Sequence, residues 1–287
     1  MSESTKLNAV LKQYFGYDSF RPLQESIIAD ALAGKDVMAV LPTGAGKSLC
    51  FQIPSLVKEG TTIVISPLIA LMKNQVDLLT SNGIPATFLN SSLTQEENRL
   101  RRQQLLAGNI RILYVSPERL AISHLASETA RLQIDLLAVD EAHCVSEWGH
   151  DFRPEYRQLS ELRKNLEHVP MMALTATATE RVREDITSAL ALKIEKPFIA
   201  SFDRHNLTYR VTEKNRSLNQ ILAFLGDRPD QSGIIYCHSR KGVDRLSDQL
   251  VKNKIDALPY HAGLDRETRS KNQDAFIRDE CQIICAT

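Results

Sequence analysis

The chain has 287 residues, 43% hydrophobic and 24% charged, a globular composition long enough for one large domain or two ordinary ones and unlike collagen-like or disordered chains. Thirty-five Lys and Arg balance 35 Asp and Glu, which excludes a bulk basic protein that coats nucleic acid by charge alone but leaves room for a local basic path. No apolar run approaches the roughly 18 residues of a membrane span, no secretory signal opens the chain, and five scattered cysteines support neither a zinc site nor a disulfide framework, so a reducing cytoplasmic compartment is expected.

In chain order, the first predicted helix lies near Pro22–Leu32, entered through Phe15-Gly-Tyr-Asp-Ser-Phe-Arg-Pro-Leu-Gln24. Gln24 has the donor and acceptor pair that matches the N6/N7 edge of adenine, and Tyr17 or Arg21 can stack on a base. A strand at Val37–Leu41 then runs into Leu41-Pro-Thr-Gly-Ala-Gly-Lys-Ser48 and a helix near Lys47–Val57. Thr43, Gly44, Ala45 and Gly46 can turn backbone N–H groups onto phosphate oxygens at a helix N-terminus. Lys47 can neutralise the β- and γ-phosphates, and Ser48 can ligate Mg²⁺. Leu41 stands where the plain phosphate-loop pattern has Gly, so that pattern is met only in its second half.

Strands follow at Thr61–Ile65, Ala86–Leu89, Ile112–Val115, Leu136–Val139 and Met171–Leu174, with helices near Ile69–Thr80, Gln95–Leu106, Tyr156–Asn165 and Glu180–Ala189. The strands are rich in Val, Ile and Leu on both faces, as a buried parallel sheet requires. Ligands of such open α/β sheets sit beyond the C-terminal strand ends. Two sets of polar residues are placed there. Asp140 and Glu141, in Asp140-Glu-Ala-His143, suit a Mg²⁺-holding acid and a water-polarising acid. Thr175 and Thr177, in Ala173-Leu-Thr-Ala-Thr-Ala178, carry hydroxyls that can bridge the acid loop to a second unit.

That second α/β unit begins near Phe202–Asn206. Its predicted strands are Leu207–Val211, Gly233–Tyr236, Ala257–Pro259 and Gln282–Cys285, and its helices lie near Leu218–Leu225, Gly242–Lys252 and Arg266–Ile277. Residues 1–203 hold 21 basic and 24 acidic side chains, and residues 204–287 hold 14 and 11, a mild asymmetry that decides little. The unit stops directly after an apolar strand and is small for an α/β domain, so a partial domain is expected.

Taken in order, Phe20-Arg-Pro-Leu-Gln24, Leu41–Ser48, Ser66-Pro-Leu-Ile-Ala-Leu-Met72, Asp140–His143 and Ala173–Ala178 resemble the motifs of superfamily-two helicases. The block Cys144-Val-Ser-Glu-Trp-Gly-His-Asp-Phe-Arg-Pro-Glu-Tyr156 resembles the aromatic-rich loop of RecQ DNA helicases, and the resemblance runs from about Phe15 to Thr287. It implies an RecA-like phosphate-loop domain over residues 1–203 and part of a second RecA-like domain over 204–287. It implies ATP and Mg²⁺ as ligands, with Tyr17, Arg21 and Gln24 on adenine, Lys47 and Ser48 on phosphate and metal, and Asp140 and Glu141 as the catalytic acids. Trp148, His150, Phe152 and Arg153, with His143 beside them, would sense single-stranded DNA and couple it to hydrolysis. This agrees with the chemistry of aromatic rings beside a cation, a sequence-tolerant stacking platform.

In the second unit, Ser201-Phe-Asp-Arg-His-Asn-Leu207, Ile234-Ile-Tyr-Cys-His-Ser-Arg240, Tyr260-His-Ala-Gly-Leu264 and Ile283-Ile-Cys-Ala-Thr287 resemble the following family segments. Ser239, Arg240 and His261 are expected at strand ends, suited to phosphate contacts of the DNA backbone. The implied activity is ATP-driven 3′ to 5′ translocation on single-stranded DNA and unwinding of partial duplex, in the cytoplasm or at the nucleoid of a bacterium. The sixth motif with its arginine finger is absent from these residues, so nucleotide binding is expected and efficient turnover by this chain is in question. The competing readings are a non-catalytic nucleotide- or DNA-binding fragment, an RNA helicase, and a small-molecule phosphate-loop kinase.

Overall fold

Apolar residues on both faces of short strands produce a sheet covered on both sides. The computed structural model describes residues 3–122, 132–201, 203 and 206–287. Its first sheet has seven strands, β1 (Val37–Val40), β2 (Thr61–Ile65), β3 (Ala86–Leu89), β4 (Ile112–Val115), β5 (Ile134–Val139), β6 (Met171–Thr175) and β7 (Phe198–Ile199), in the order β3-β4-β2-β5-β6-β1-β7. Every pairing is parallel, so all C-terminal strand ends lie along one edge. One apolar layer includes Met38, Ile63, Leu137 and Met171, and the opposite layer Ala39, Val64, Tyr114 and Met172. Such continuous burial is the RecA-like arrangement expected of the strand pattern.

The helices around it are α1 (Glu3–Phe15), which packs on the next two helices rather than on the sheet, α2 (Gln24–Leu32), α3 (Leu49–Val57), α4 (Ile69–Ser81), α5 (Gln95–Leu106), α6 (Pro117–Ile122), α7 (Leu159–Asn165) and α8 (Glu180–Ala189). Their starts have physical causes. Thr94 and Glu97 form a reciprocal capping box on α5, Thr179 caps α8, and Pro117 opens α6 where its missing N–H costs nothing. Among the described residues, no helix is long and apolar enough to cross a membrane.

Three differences from the sequence reading stand out. Helix α1 lies ahead of the first helix expected from the sequence; its Leu7 and Leu11 repeat one turn apart and are buried at 3% and 0% exposure. The helix expected over Tyr156–Asn165 is two pieces, a 3₁₀ turn at Pro154–Gln158 and then α7. The strand expected at Leu207–Val211 is not a strand. Tyr209 and Val211 are 89% and 99% exposed, and an apolar alternation without a neighbouring strand gains no ladder and no core.

A compact unit runs through Asn206 and a separate one from Leu207. Residues 202, 204 and 205, where the sequence reading places the join, lie outside the described residues. The second unit has a parallel three-stranded sheet of β8 (Gly233–Tyr236), β9 (Ala257–Tyr260) and β10 (Ile283–Ala286), in the order β8-β10-β9. With it go α9 (Ser217–Gly226), α10 (Arg240–Lys252) and α11 (Arg266–Ile277). Val243 and Leu250 of α10 pack on Ala257, Ile283 and Cys285.

Candidate nucleotide and nucleic-acid site

Adjacency of β5, β6 and β1 brings three loops side by side. The phosphate loop follows β1, the acid pair follows β5, and Thr175 ends β6 between them, in register with Val40. Leu41 extends this seam by donating its N–H to the Thr175 carbonyl at 3.0 Å.

The phosphate loop turns on Gly44 and Gly46, whose φ angles of 82° and 78° are left-handed and accessible to glycine without steric penalty. A Cβ on Gly46 would also stand 2.5 Å from the Gln24 amide nitrogen. Gln24 is 1% exposed. Its Nε2 donates to the carbonyls of Ala45 at 3.1 Å and Gly46 at 3.0 Å, while its Oε1 accepts the Arg21 N–H at 2.9 Å. Arg21 donates from its guanidinium to the Gly44 carbonyl. The structure therefore gives Arg21 and Gln24 a job absent from the sequence reading: they brace the phosphate loop from behind. Leu23 holds Gln24 in place with a left-handed backbone, φ 69°, a conformation that costs a non-glycine residue about 1–2 kcal/mol. Tyr17 is separate from this brace and 53% exposed.

Helix α3 starts two residues later than expected, and Ser48 stands at its N-cap with its hydroxyl capping nothing. Lys47 folds its Nζ back to the Leu41 carbonyl at 3.3 Å. Thr43 lies at the exposed tip of the loop.

The two acids part in character. Asp140 is 8% exposed and its Oδ1 accepts the Glu141 N–H at 3.0 Å. Burial, with the Glu141 charge adding to it, pushes its carboxyl up to about 6. Glu141 sits on a left-handed backbone, φ 48°, and the hydrogen bond from His143 holds its carboxyl below the usual range. An oxygen-only donor set, Ser48 with Asp140, fits a hard divalent cation, which would relieve the buried Asp140 charge.

His143 is the hub. It is 6% exposed, and its Nδ1 lies 2.9 Å from the Thr175 hydroxyl and 3.3 Å from Glu141 Oε2. The Thr175 hydroxyl donates to the Thr177 carbonyl at 3.1 Å, so Nδ1–H is the donor to both oxygens. Thr175 is fully buried and its hydroxyl is committed within the first unit, to the acid loop. Thr177 is exposed.

The loop from Cys144 to Arg153 is folded against this hub. His150 stacks on His143, with ring centroids 4.1 Å apart and planes 18° apart. A Cβ on Gly149 would collide with the His143 carbonyl, so the loop passes where only glycine fits. Phe152 is half-buried. Arg153 is not the cation beside the aromatic rings. Its guanidinium is turned to Asp151 Oδ2 at 3.2 Å and to the Pro67 carbonyl at 3.1 Å. The cation over Trp148 is Arg181, whose guanidinium carbon is 3.3 Å from the ring centroid. Thirty-three positions separate the two residues, and nothing local in the sequence announces the contact.

A concavity lined by Thr43, Glu141, His143, His150 and Thr177 joins the phosphate loop to the acid pair and the aromatic loop. A larger one lies at the opposite, N-terminal strand ends, between Asp36, Arg163 and Lys193. Its buried Asp36 and Arg163 are paired with each other, whereas the first concavity gathers the phosphate loop, Glu141 and the His143–His150 stack at the C-terminal strand ends, where ligands of open parallel sheets bind.

In the second unit, Ser239 and Arg240 start α10 after β8, and His261 follows β9. Ser239 caps α10 by accepting the Gly242 N–H at 3.1 Å. His261 accepts the Gly263 N–H on Nδ1 at 3.1 Å, so its Nε2–H donates to Asp244 Oδ1 at 2.9 Å. His261 is buried and Arg240 exposed. Of the three, Arg240 is the side chain turned to solvent with its charge available.

The family model of DEAD/DEAH box helicases matches residues 21–186. The ATP-dependent DNA helicase RecQ of Pasteurella multocida is 47% identical over 278 residues, covering 97% of this chain and 44% of that protein. The protein of the same name from Bacillus subtilis is 41% identical, covering 98% of this chain and 48% of its own length. The chain thus spans less than half the length of these relatives. Among solved structures, the Mycobacterium smegmatis helicase Lhr bound to ssDNA and AMP-PNP shares the fold, with a TM-score of 0.72 over 97% of this chain and 41% of its own, at 19% identity.

Proposed function

The chain belongs to the DEAD/DEAH box helicase family, in its RecQ branch, and from that premise we propose that it is the nucleotide-driven part of a motor that translocates 3′ to 5′ along single-stranded DNA and opens partial duplex. The observation that carries the reading is the adjacency of Lys47, the Asp140–Glu141 pair and the His143–Thr175 bridge at three neighbouring strand ends. ATP is the substrate. Thr43, Gly44, Ala45 and Gly46 cradle its phosphates by backbone N–H groups, and Lys47 takes up their charge. Ser48 and Asp140 are the side chains that would hold Mg²⁺, which when bound neutralises charge on the transferring phosphate. Glu141 orients the attacking water and accepts its proton. Tyr17, Arg21 and Gln24 read the adenine, and Gln24 exchanges loop carbonyls for the base when it does so.

Trp148, His150 and Phe152 offer stacking surfaces to a single strand. His150 rests on His143, and His143 touches Glu141, so a strand seated on the loop bears on the water-orienting acid through two contacts. Arg240 contacts backbone phosphate, with Ser239 and His261 shaping the helix start that presents it. A DNA motor of this kind works in the cytoplasm, at the nucleoid if the source is bacterial.

The test is MgATP hydrolysis with oligothymidylate, with oligouridylate and with neither. Stimulation is expected with DNA above RNA, and Lys47→Ala and Glu141→Gln are each expected to lose about 100-fold or more. Equal rates with and without DNA would overturn the DNA motor. Stronger stimulation by RNA would move the protein to the RNA helicases, and nucleotide binding without turnover would make it a binding module.

A further inference from the structure

Trp148 is 60% exposed, yet one face of its ring lies under the Arg181 guanidinium at 3.3 Å. A ring covered on one face and still so exposed has its other face open to solvent. Arg181 has no carboxylate partner among the described residues, so its charge is directed to the ring. It stands in the first turn of α8, six residues after Thr175. Trp148 follows His143 by five positions on the opposing loop. The acid loop and the Thr175–Arg181 segment are therefore joined at two points, His143 on Thr175 and Trp148 on Arg181.

We propose that Arg181 is a positioning residue for the aromatic loop: it fixes the Trp148 ring against the start of α8 and presents the free face to a base. The physical case is pre-organisation. A surface tryptophan on a loop samples several rotamers, and ordering it when a base arrives weakens binding. A guanidinium lies flat on an indole and holds it without a bond that must be broken. A base on the open face completes a base–indole–guanidinium stack. The second joint also makes a shift of the ring a shift of α8 and of the Thr175 segment before it.

The inference rests on the loop being a single-strand platform, and its test separates the two. Trp148 is the one tryptophan of the chain, so its emission reports this ring alone. Time-resolved anisotropy without nucleic acid is expected to show a ring that turns with the whole protein in the wild type. In Arg181→Ala the ring is expected to wobble on the nanosecond scale. Arg181→Lys keeps the charge but not the plane and should free the ring in part. Oligothymidylate is then titrated against each folded variant, with affinity about 3–10-fold weaker for Arg181→Ala. A ring as restrained in Arg181→Ala as in the wild type overturns the proposal, and so does a freely moving wild-type ring. Wild-type emission that ignores oligothymidylate defeats the platform reading alone, because the ring motion is compared without DNA and still decides for or against Arg181.

Discussion

Two buried aspartates stand at opposite ends of the first sheet, and their surroundings differ in kind. Asp36 enters β1, with its side chain 4% exposed and its Oδ2 2.8 Å from Arg163 Nη2. Its two oxygens also accept the N–H groups of Met171 at 2.8 Å and Lys193 at 2.9 Å. Asp140 leaves β5 just as buried, but beside a second acid and without an ion pair among the described residues. One end of the sheet is saturated with partners and holds β1, β6 and the segment before β7 together. The other is kept short of positive charge and set next to a strained backbone at Glu141. Unmatched charge in a cleft is how a site differs from a core.

Removing the matched carboxylate gives the largest effect. Asp36→Ala leaves Arg163 buried without its counter-charge and is expected to cost about 3–5 kcal/mol. Trp148 emission in urea reads this in the first unit, since the chain has no other tryptophan. A loss below about 1 kcal/mol would erase the contrast between the two ends.

Asp140→Asn runs the other way. The carboxyl sits at about 6 in the folded chain and at the ordinary 3.8 when unfolded, so the folded state binds protons more tightly and stability falls as pH rises through that window. Above pH 6 the full penalty is present, and replacing the charge by an amide is expected to stabilise the ligand-free chain by about 1–3 kcal/mol at pH 7 while abolishing hydrolysis. The gain should shrink as pH falls from about 6 towards 4, because the wild-type carboxyl then protonates. Urea midpoints at pH 7.5 and pH 4.5 test the sign. A gain that grows on acidification contradicts it.

The same two ends show what a sequence discloses. The phosphate loop, acid pair and strand ends were readable because each is a contiguous run whose spacing follows from the chemistry. The parallel sheet was readable because apolar runs of four or five residues on both faces have few other uses. The braces were not. Gln24 reaching 22 positions to Gly46, Arg163 reaching Asp36 across 127, and Arg181 reaching Trp148 are tertiary contacts of residue types common on any surface. Arg153 belongs with them: it lies in the same loop as Trp148, yet its guanidinium is turned to Asp151 two residues away. Helix α1 is legible in Leu7, Val10, Leu11 and Tyr14, which recur at helical spacing.

The smallest effect belongs to a cap between the two regimes. Thr179 accepts the Val182 N–H at 3.4 Å at the start of α8, a long bond, so Thr179→Ala should cost only about 0.5–1 kcal/mol by far-UV circular dichroism in urea. Yet α8 begins directly after the Thr175–Ala178 segment and carries Arg181 in its first turn. Fraying there loosens the contact on Trp148 before it unfolds anything. Trp148 anisotropy should therefore fall in Thr179→Ala under conditions where the chain is still fully folded. A cap variant with lower stability and an unmoved tryptophan would mean that the C-terminal edge of the sheet is as rigid as the Asp36 end, with its strain confined to Glu141.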